Sequence, residues 1–506
     1  MDDSATPRPQ QACCNRVFFT AVFAACLNGI SVGFLAGWPQ AAIPQLLSSS
    51  YTLTESQASW VSGILYLGML VGGVTSIVIV GRFGKKRLFL LASVPLILGW
   101  SIIAIAASFW LKKKFCFQQF IFGRIILGIG GGMITHQTEM YLSEISPRRL
   151  RSNMSVMFCA NVHVGILLSF TIGPTLTISS ATGIYITLVL MYATLFLTIA
   201  PETPFWLIRQ GRTDEGLTNL RKLRNRPDVH DEFDSIVEFT KMSLVAKKTD
   251  GAWQNFTRVF ADRASRRAIL LVVLLTTGQQ FSGMGAMSSY AQLIFERSVS
   301  VIPGRYVSLL IGLIELTCTL ISGFLIERLG RRPIVTGSST VCAGCMGLMG
   351  LYYHGLVVGG PDAGGVLPLV CIIVFALAYG LGLASIATVV AAECLSMDAR
   401  NIGAAAQNTT LCFSVLLITK LWQVITSSYG QEYAFWLVSA ITAGHTIVLL
   451  IMLPETRGRS LTEIQRLLAS SSSPSAPSPH KSMLLVPHLG LQNIKIVPAD
   501  GSTSRS

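Results

Sequence analysis

Twelve apolar runs, each long enough to cross a bilayer as a helix, limit what this chain can fold into. A helix rises about 1.5 Å per residue, so roughly 20 apolar residues cover the hydrocarbon core. The runs fall at Val17–Gly37, Ala58–Val80, Leu88–Trp110, Phe117–Met140, Met154–Leu176, Gly183–Ala200, Ala268–Phe295, Tyr306–Ile326, Ile334–Tyr353, Val366–Cys394, Gly403–Thr426 and Ala434–Leu453. They group as six, a polar break, and six more. Over 506 residues only 13% are charged and the mean hydropathy is +0.56, whereas about a quarter of a soluble chain is charged. The expected fold class is an all-α membrane protein with twelve transmembrane helices in two six-helix halves.

The halves read as copies. Gly81-Arg82-Phe83-Gly84-Lys85-Lys86-Arg87 joins the second and third runs, and Glu327-Arg328-Leu329-Gly330-Arg331-Arg332-Pro333 joins the second and third runs of the other half. Each is a basic turn pinned by glycine, and such a repeat decides the architecture. The net charge of +14 sits mostly between runs, where orientation bias places Lys and Arg, so it reads as topology and not as a nucleic-acid surface. With the basic loops on one side, both termini are expected to be cytoplasmic; Lys112, Lys113 and Lys114 break the pattern. The eleven cysteines lie mostly within apolar runs, and Cys342 and Cys345 have no His or second pair nearby, so neither a disulfide framework nor a metal site is expected.

The expected organisation is a cytoplasmic N-terminus at 1–15, a first half at 16–200, linker helices at 201–267, a second half at 268–453 and a cytoplasmic tail at 454–506. The linker carries leucine-type residues at helical spacing in Asp214–Leu223 and Glu232–Met242. The Ser/Pro-rich tail is expected to be disordered after about residue 465.

Ordered motifs then narrow the reading. From the fourth run onward come Gly123-Arg124, Gly128, Gly130 and Tyr141-Leu142-Ser143-Glu144-Ile145-Ser146-Pro147 with Arg151. Pro201-Glu202-Thr203-Pro204-Phe205-Trp206-Leu207 follows the sixth, and Gln279-Gln280-Phe281-Ser282-Gly283 lies in the seventh. Glu393 and Arg400 follow the tenth, and Pro454-Glu455-Thr456-Arg457-Gly458 closes the twelfth. Over residues 16 to 465 the chain resembles the sugar porter family of the major facilitator superfamily. Gly37-Trp38-Pro39 and Ser59-Trp60 look most like the insect-type facilitative trehalose and hexose carriers.

The resemblance implies a facilitative uniporter of a sugar such as trehalose or a hexose, working by alternating access in the plasma membrane. It implies no enzymatic chemistry and no cofactor; the partners are a sugar or polyol and the lipid bilayer. Two readings stand beside it: a non-transporting sugar sensor on the same fold, and a proton-coupled carrier of another solute. A carrier needs a cytoplasmic gate that closes and releases. The charges expected to form it are Arg82, Arg124, Glu144, Arg151, Glu327, Arg328, Arg331, Glu393 and Arg400, at cytoplasmic helix ends. The first turn has Gly81 where the second has Glu327, and lysines where the second has arginines, so the gate is expected to be weaker on that side.

For substrate contact the expected residues are Gln279, Gln280, Glu315 and Thr388. Family spacing places the usual helix-five glutamine on Cys159, the helix-seven asparagine on Gly285, the helix-ten tryptophan on Thr388 and the helix-eleven tryptophan on Cys412. Ser385 and Ala387 stand where prolines are usual. Glu315, an acid in mid-span, reads either as a site residue or as a partner of Lys420 or His445. The helix-one acid of proton-coupled sugar porters falls on Leu35, which favours uncoupled transport.

Overall fold

The computed structural model describes residues 16–48, 53–108, 113–147, 150–249, 252–287, 303–355, 366–396, 399–457 and 461–469. Among them are six helices, α1 (Arg16–Leu47), α2 (Glu55–Phe83), α3 (Lys85–Ser108), α4 (Lys113–Ile145), α5 (Arg151–Ile172) and α6 (Ile178–Thr198). The linker forms α7 (Pro204–Arg209), α8 (Thr213–Arg224), α9 (His230–Thr249) and α10 (Ala252–Ala261). The second set is α11 (Arg263–Phe281), α12 (Gly304–Leu329), α13 (Arg331–Tyr353), α14 (Val366–Ala378), a π-helical turn (Tyr379–Leu383), α15 (Ala384–Cys394), α16 (Arg400–Ser428) and α17 (Gln431–Met452). A last helix, α18, spans Leu461–Ala469. Eleven described helices are long and apolar enough to cross a bilayer, and Val156–Ile172 within α5 is a shorter apolar twelfth.

The start of α2 shows why the chain turns where it does. Thr54 and Gln57 form a reciprocal capping box that satisfies two orphan donors. Further in, α2 and α4 touch backbone to backbone: a Cβ on Gly68 would sit 2.2 Å from the Ile125 carbonyl oxygen, and one on Gly128 2.1 Å from that of Leu65. In lipid, where apolar burial gives helices little reason to associate, such close van der Waals approach is what holds them. Each set of six has its own core, around Phe89, Trp100, Tyr141 and Phe196 in the first and Phe375, Trp422 and Phe435 in the second. A small third core of Ile208, Leu220, Val229, Phe233 and Ile236 holds the linker helices.

Two boundaries differ from the sequence reading. Helix α1 does not stop at Gly37 but continues through Pro39 and Pro44 to Leu47. A proline removes one helical N–H, and the helix survives because the freed carbonyl finds another donor, described below. At the other end, α18 runs to Ala469, past the point where disorder was expected. Ile464 and Leu468 are buried, the Arg267 guanidinium donates to the Leu468 carbonyl at 2.8 Å, and the Gln465 amide donates to the Cys394 carbonyl at 2.6 Å. The remaining tail lies outside the described residues.

Candidate functional site

The two glycine-basic turns form corners of matching design at the end of the bundle that carries the linker. In the first, Gly84 adopts φ +87°, a region that favours glycine, and lets α3 start at once. The Glu202 carboxylate sits on the exposed N–H groups of that start, accepting from Lys85 N at 3.1 Å and Lys86 N at 3.0 Å. A helix N-terminus stabilises an anion in this position. A Cβ on Gly84 would lie 2.3 Å from Glu202 Oε2, so the glycine also makes room for the acid. In the second corner Gly330 has φ +95°, and Glu455 accepts from Arg331 N and Arg332 N, both at 3.1 Å. The two acids belong to the same Pro-Glu-Thr triplet, at 201–203 and 454–456. That repeat was visible in the sequence and would have identified their shared role.

The side-chain pairs differ. Lys85 Nζ lies 2.7 Å from Glu144 Oε1, an ion pair without a well-aligned hydrogen bond, and Lys85 is only 3% exposed. Arg331 gives Glu393 Oε1 two donors, Nε at 3.1 Å and Nη2 at 2.5 Å, while the Thr456 hydroxyl donates to Oε2 at 2.6 Å. Burial raises the Glu202 carboxyl above its usual range, and the N–H groups of Thr203, Lys86 and Lys85 offset part of that rise.

Of the expected gate residues, Glu144, Arg331 and Glu393 do meet partners at this end, but each pair joins helices of one half. Arg82 is exposed, and Arg328 is exposed with its guanidinium 4.2 Å from the Phe324 ring centroid. The side chains of Arg151, Glu327 and Arg400 lie outside the described residues.

Arg124 requires a correction. It precedes Ile145, the last residue of α4, by 21 positions, about 30 Å at helical rise, and so is no gate residue at the linker end. It is fully buried, and its guanidinium donates to three backbone carbonyls: Leu35 at 3.0 Å, Val61 at 3.1 Å and Ser62 at 3.3 Å. Trp38 covers it, with the ring centroid 4.9 Å away. The Leu35 carbonyl is available because its helical partner four residues on is Pro39, which has no N–H. Arg124 is thus held without a carboxylate. A count along the fourth run already placed this residue far from the run's end.

At the opposite end the halves themselves meet. Lys420 of α16 donates to the Ser56 carbonyl at 3.3 Å and to the Ser56 and Ser59 hydroxyls, both at 3.0 Å, on α2. Ser59 donates to Gln423 Oε1 at 3.2 Å, and the Lys420 ammonium lies 5.1 Å from the Trp60 ring centroid. Deeper in, His163 of α5 and the Thr319 hydroxyl of α12 are 3.3 Å apart. The sequence reading missed this latch; the signal for it was a lysine inside an apolar run.

Between these ends lie the expected substrate residues. The Gln279 amide donates to the Ala384 carbonyl at 2.7 Å, just beyond the π-turn, and shares a hydrogen bond with the Tyr379 phenol. A π-turn within a helix commonly marks a functional position, and this one ends just before Ser385 and Ala387, which stand where the family resemblance expects prolines. Gln280 is buried with no partner for its amide among the described residues. Thr388 is exposed and its hydroxyl donates to the Ser385 carbonyl at 2.8 Å, which leaves it little to offer a ligand as a donor. Glu315 is 7% exposed and pairs with neither expected cation. Lys420 serves the latch, and His445 Nε2 is 2.8 Å from the Leu274 carbonyl, with its ring packed against Gly278.

The profile of the family described as "Sugar (and other) transporter" matches residues 17–468. The chain belongs to that family. Among curated relatives, the facilitated trehalose transporter Tret1 of Bombyx mori is 27% identical over 456 residues, covering 89% of this chain and 87% of the relative. A Tret1-2 homolog of Drosophila sechellia is 26% identical over 452 residues, covering 88% and 90%. Among solved structures, the inward open conformation of the E. coli xylose transporter XylE superposes with a TM-score of 0.74 at 18% identity, covering 89% of this chain and 99% of that one. This likeness establishes a major facilitator fold. The carrier is a multi-pass membrane protein, and the doubled corners are its family's two-fold plan seen in side chains.

Proposed function

We propose that the chain is a facilitative carrier moving a sugar such as trehalose or a hexose down its gradient across the plasma membrane, with both termini cytoplasmic. Its relatives are named for facilitated trehalose transport, and the Gln280 amide, with no partner among the described residues, is the type of group that matches sugar hydroxyls. Alternating access follows from the hydrogen-bonding plan: each half is pinned internally at the linker end, while contacts between halves close the far end. The linker end is then the open one, and transport requires the Lys420 latch to release and a gate to form there from Arg82, Glu144, Arg331, Glu393 and the neighbouring charges. The observation that carries uncoupled transport is the cage around Arg124: three backbone carbonyls and an indole satisfy the buried cation, so no carboxylate has to gain and lose a proton beside it.

The test is a panel of labelled trehalose and hexoses in cells lacking endogenous uptake, with surface expression verified. Saturable uptake, unaffected by collapsing the proton gradient and falling at least tenfold in Gln280→Ala, is the expected result. Uptake of none of the panel by protein at the surface refutes the reading.

A further inference from the structure

Glu315 is a charge in the middle of the membrane region whose carboxylate meets neither a counterion nor a hydrogen-bond donor among the described residues. It lies near the centre of α12, is more than nine-tenths buried, and its carboxylate has no hydrogen bond or ion pair among the described residues. Such groups are found paired, because an uncompensated buried charge costs several kcal/mol. Among the described residues, Arg124, Lys420, His445 and His163 are each engaged elsewhere. Arg124 is held by the carbonyls of Leu35, Val61 and Ser62. Lys420 is held by Ser56, Ser59 and Gln423, and His445 by Leu274. His163 faces the Cys159 carbonyl at 2.9 Å and the Thr319 hydroxyl. The groups that share electrostatic contact with Glu315 are neutral: the Cys318 thiol, and the Tyr379 phenol that Gln279 fixes by hydrogen bond. Positions that the family resemblance assigns to amides or indoles are Cys159, Gly285, Thr388 and Cys412 here, so neutral hydroxyl recognition is thinned.

We infer that the missing counterion is the solute: Glu315 selects a sugar-like substrate bearing a protonated amine. The ammonium would pair with the carboxylate beside the Tyr379 ring, and Gln280 would take hydroxyls of the same molecule. The inference rests on the carrier reading above and names its substrate class.

D-Glucosamine and D-glucose form a suitable probe pair, since they differ only by an ammonium or amine in place of one hydroxyl. Uptake of both, labelled, is measured at pH 6.5 for wild type, Glu315→Gln and Glu315→Asp at equal surface expression. The expected result is a glucosamine-to-glucose ratio that falls at least tenfold in Glu315→Gln and is largely kept in Glu315→Asp. A measurement on wild type alone guards against a misfolded variant: unlabelled glucosamine should inhibit labelled glucose uptake at tenfold lower concentration than N-acetylglucosamine, in which the amine is neutral. A ratio unchanged in Glu315→Gln, or equal inhibition by the two competitors, overturns the inference while leaving a sugar carrier in place. Glucose uptake driven by an imposed proton gradient and lost from that drive in Glu315→Gln assigns the carboxylate a proton instead, and overturns it too. Wild type that carries neither sugar overturns this inference, and if it takes up no trehalose or other hexose either, the carrier reading falls with it.

Discussion

The two corners at the linker end share one plan and differ in one component. Both start a helix on a positive-φ glycine, and both seat a glutamate from a Pro-Glu-Thr triplet on the bared N–H groups. They part at the pair that ties this start to the fourth helix of each half. Arg331 offers two donors in a planar fork to Glu393, which Thr456 also anchors. Lys85 offers a point charge to Glu144, enclosed at 3% exposure. The first corner thus brings fewer donors to its carboxylate than the second, and it has a feature the residue types did not reveal: the lysine is the more deeply enclosed cation and meets a single carboxylate.

The largest effect should come from removing that carboxylate. Glu144→Ala strands a buried ammonium and should destabilise the purified carrier by about 3 kcal/mol. Lys85→Met removes the charge and keeps much of the volume, and leaves Glu144 partly solvated, so it should cost much less. Thermal unfolding in detergent compares them; equal losses would mean that the ammonium is not stranded, and the contrast between corners would fail.

A smaller effect concerns the acids beneath the pairs. Burial raises the Glu202 carboxyl, so its pKa is higher folded than unfolded. Its contribution to stability is then full below the unfolded value, about 4.3, and is lost as pH rises through the folded one. Wild type should lose thermal stability relative to Glu202→Gln across that rise. A difference between the two that does not vary with pH would show that the three backbone donors fully offset the burial.

The smallest effect should be Gly81→Asp, which gives the first turn the acid that the second turn has. A side chain at Gly81 meets open space, with no neighbour within 4 Å of its Cβ, so the change adds charge without strain. A surface pairing of the kind it allows is worth about 0.5 kcal/mol. That should shift the carrier about two-fold toward the state open at the far end, which is outward-facing in the proposed orientation. The measurement is the rate at which an impermeant thiol reagent reaches Cys159 from outside; an unchanged rate would mean the missing acid does not set the balance.

How much of this could be read from the chain depends on the range of the interactions. The twelve spans, the doubling and the linker helices were legible because hydropathy, glycine punctuation and helical spacing act over a few residues. The fifth span is the short one because the polar Arg151, Ser152 and Asn153 open its helix. Gln279 and Gln280 were identified by motif, yet only packing told them apart: one amide is used by the Ala384 carbonyl, the other is left open.

By itself, then, the sequence determined a two-times-six helical membrane carrier of the sugar porter type, because each span must satisfy its own backbone in lipid and shows that need locally. Only the tertiary structure decided which charges are neutralised and by what. Arg124 is held by carbonyls, one of them freed by a proline on another helix, Lys420 by hydroxyls of the other half, and Glu315 by nothing among the described residues. These outcomes rest on partners between 62 and 364 positions apart or on the absence of one among the described residues, and burial makes each count for more than it would at a surface.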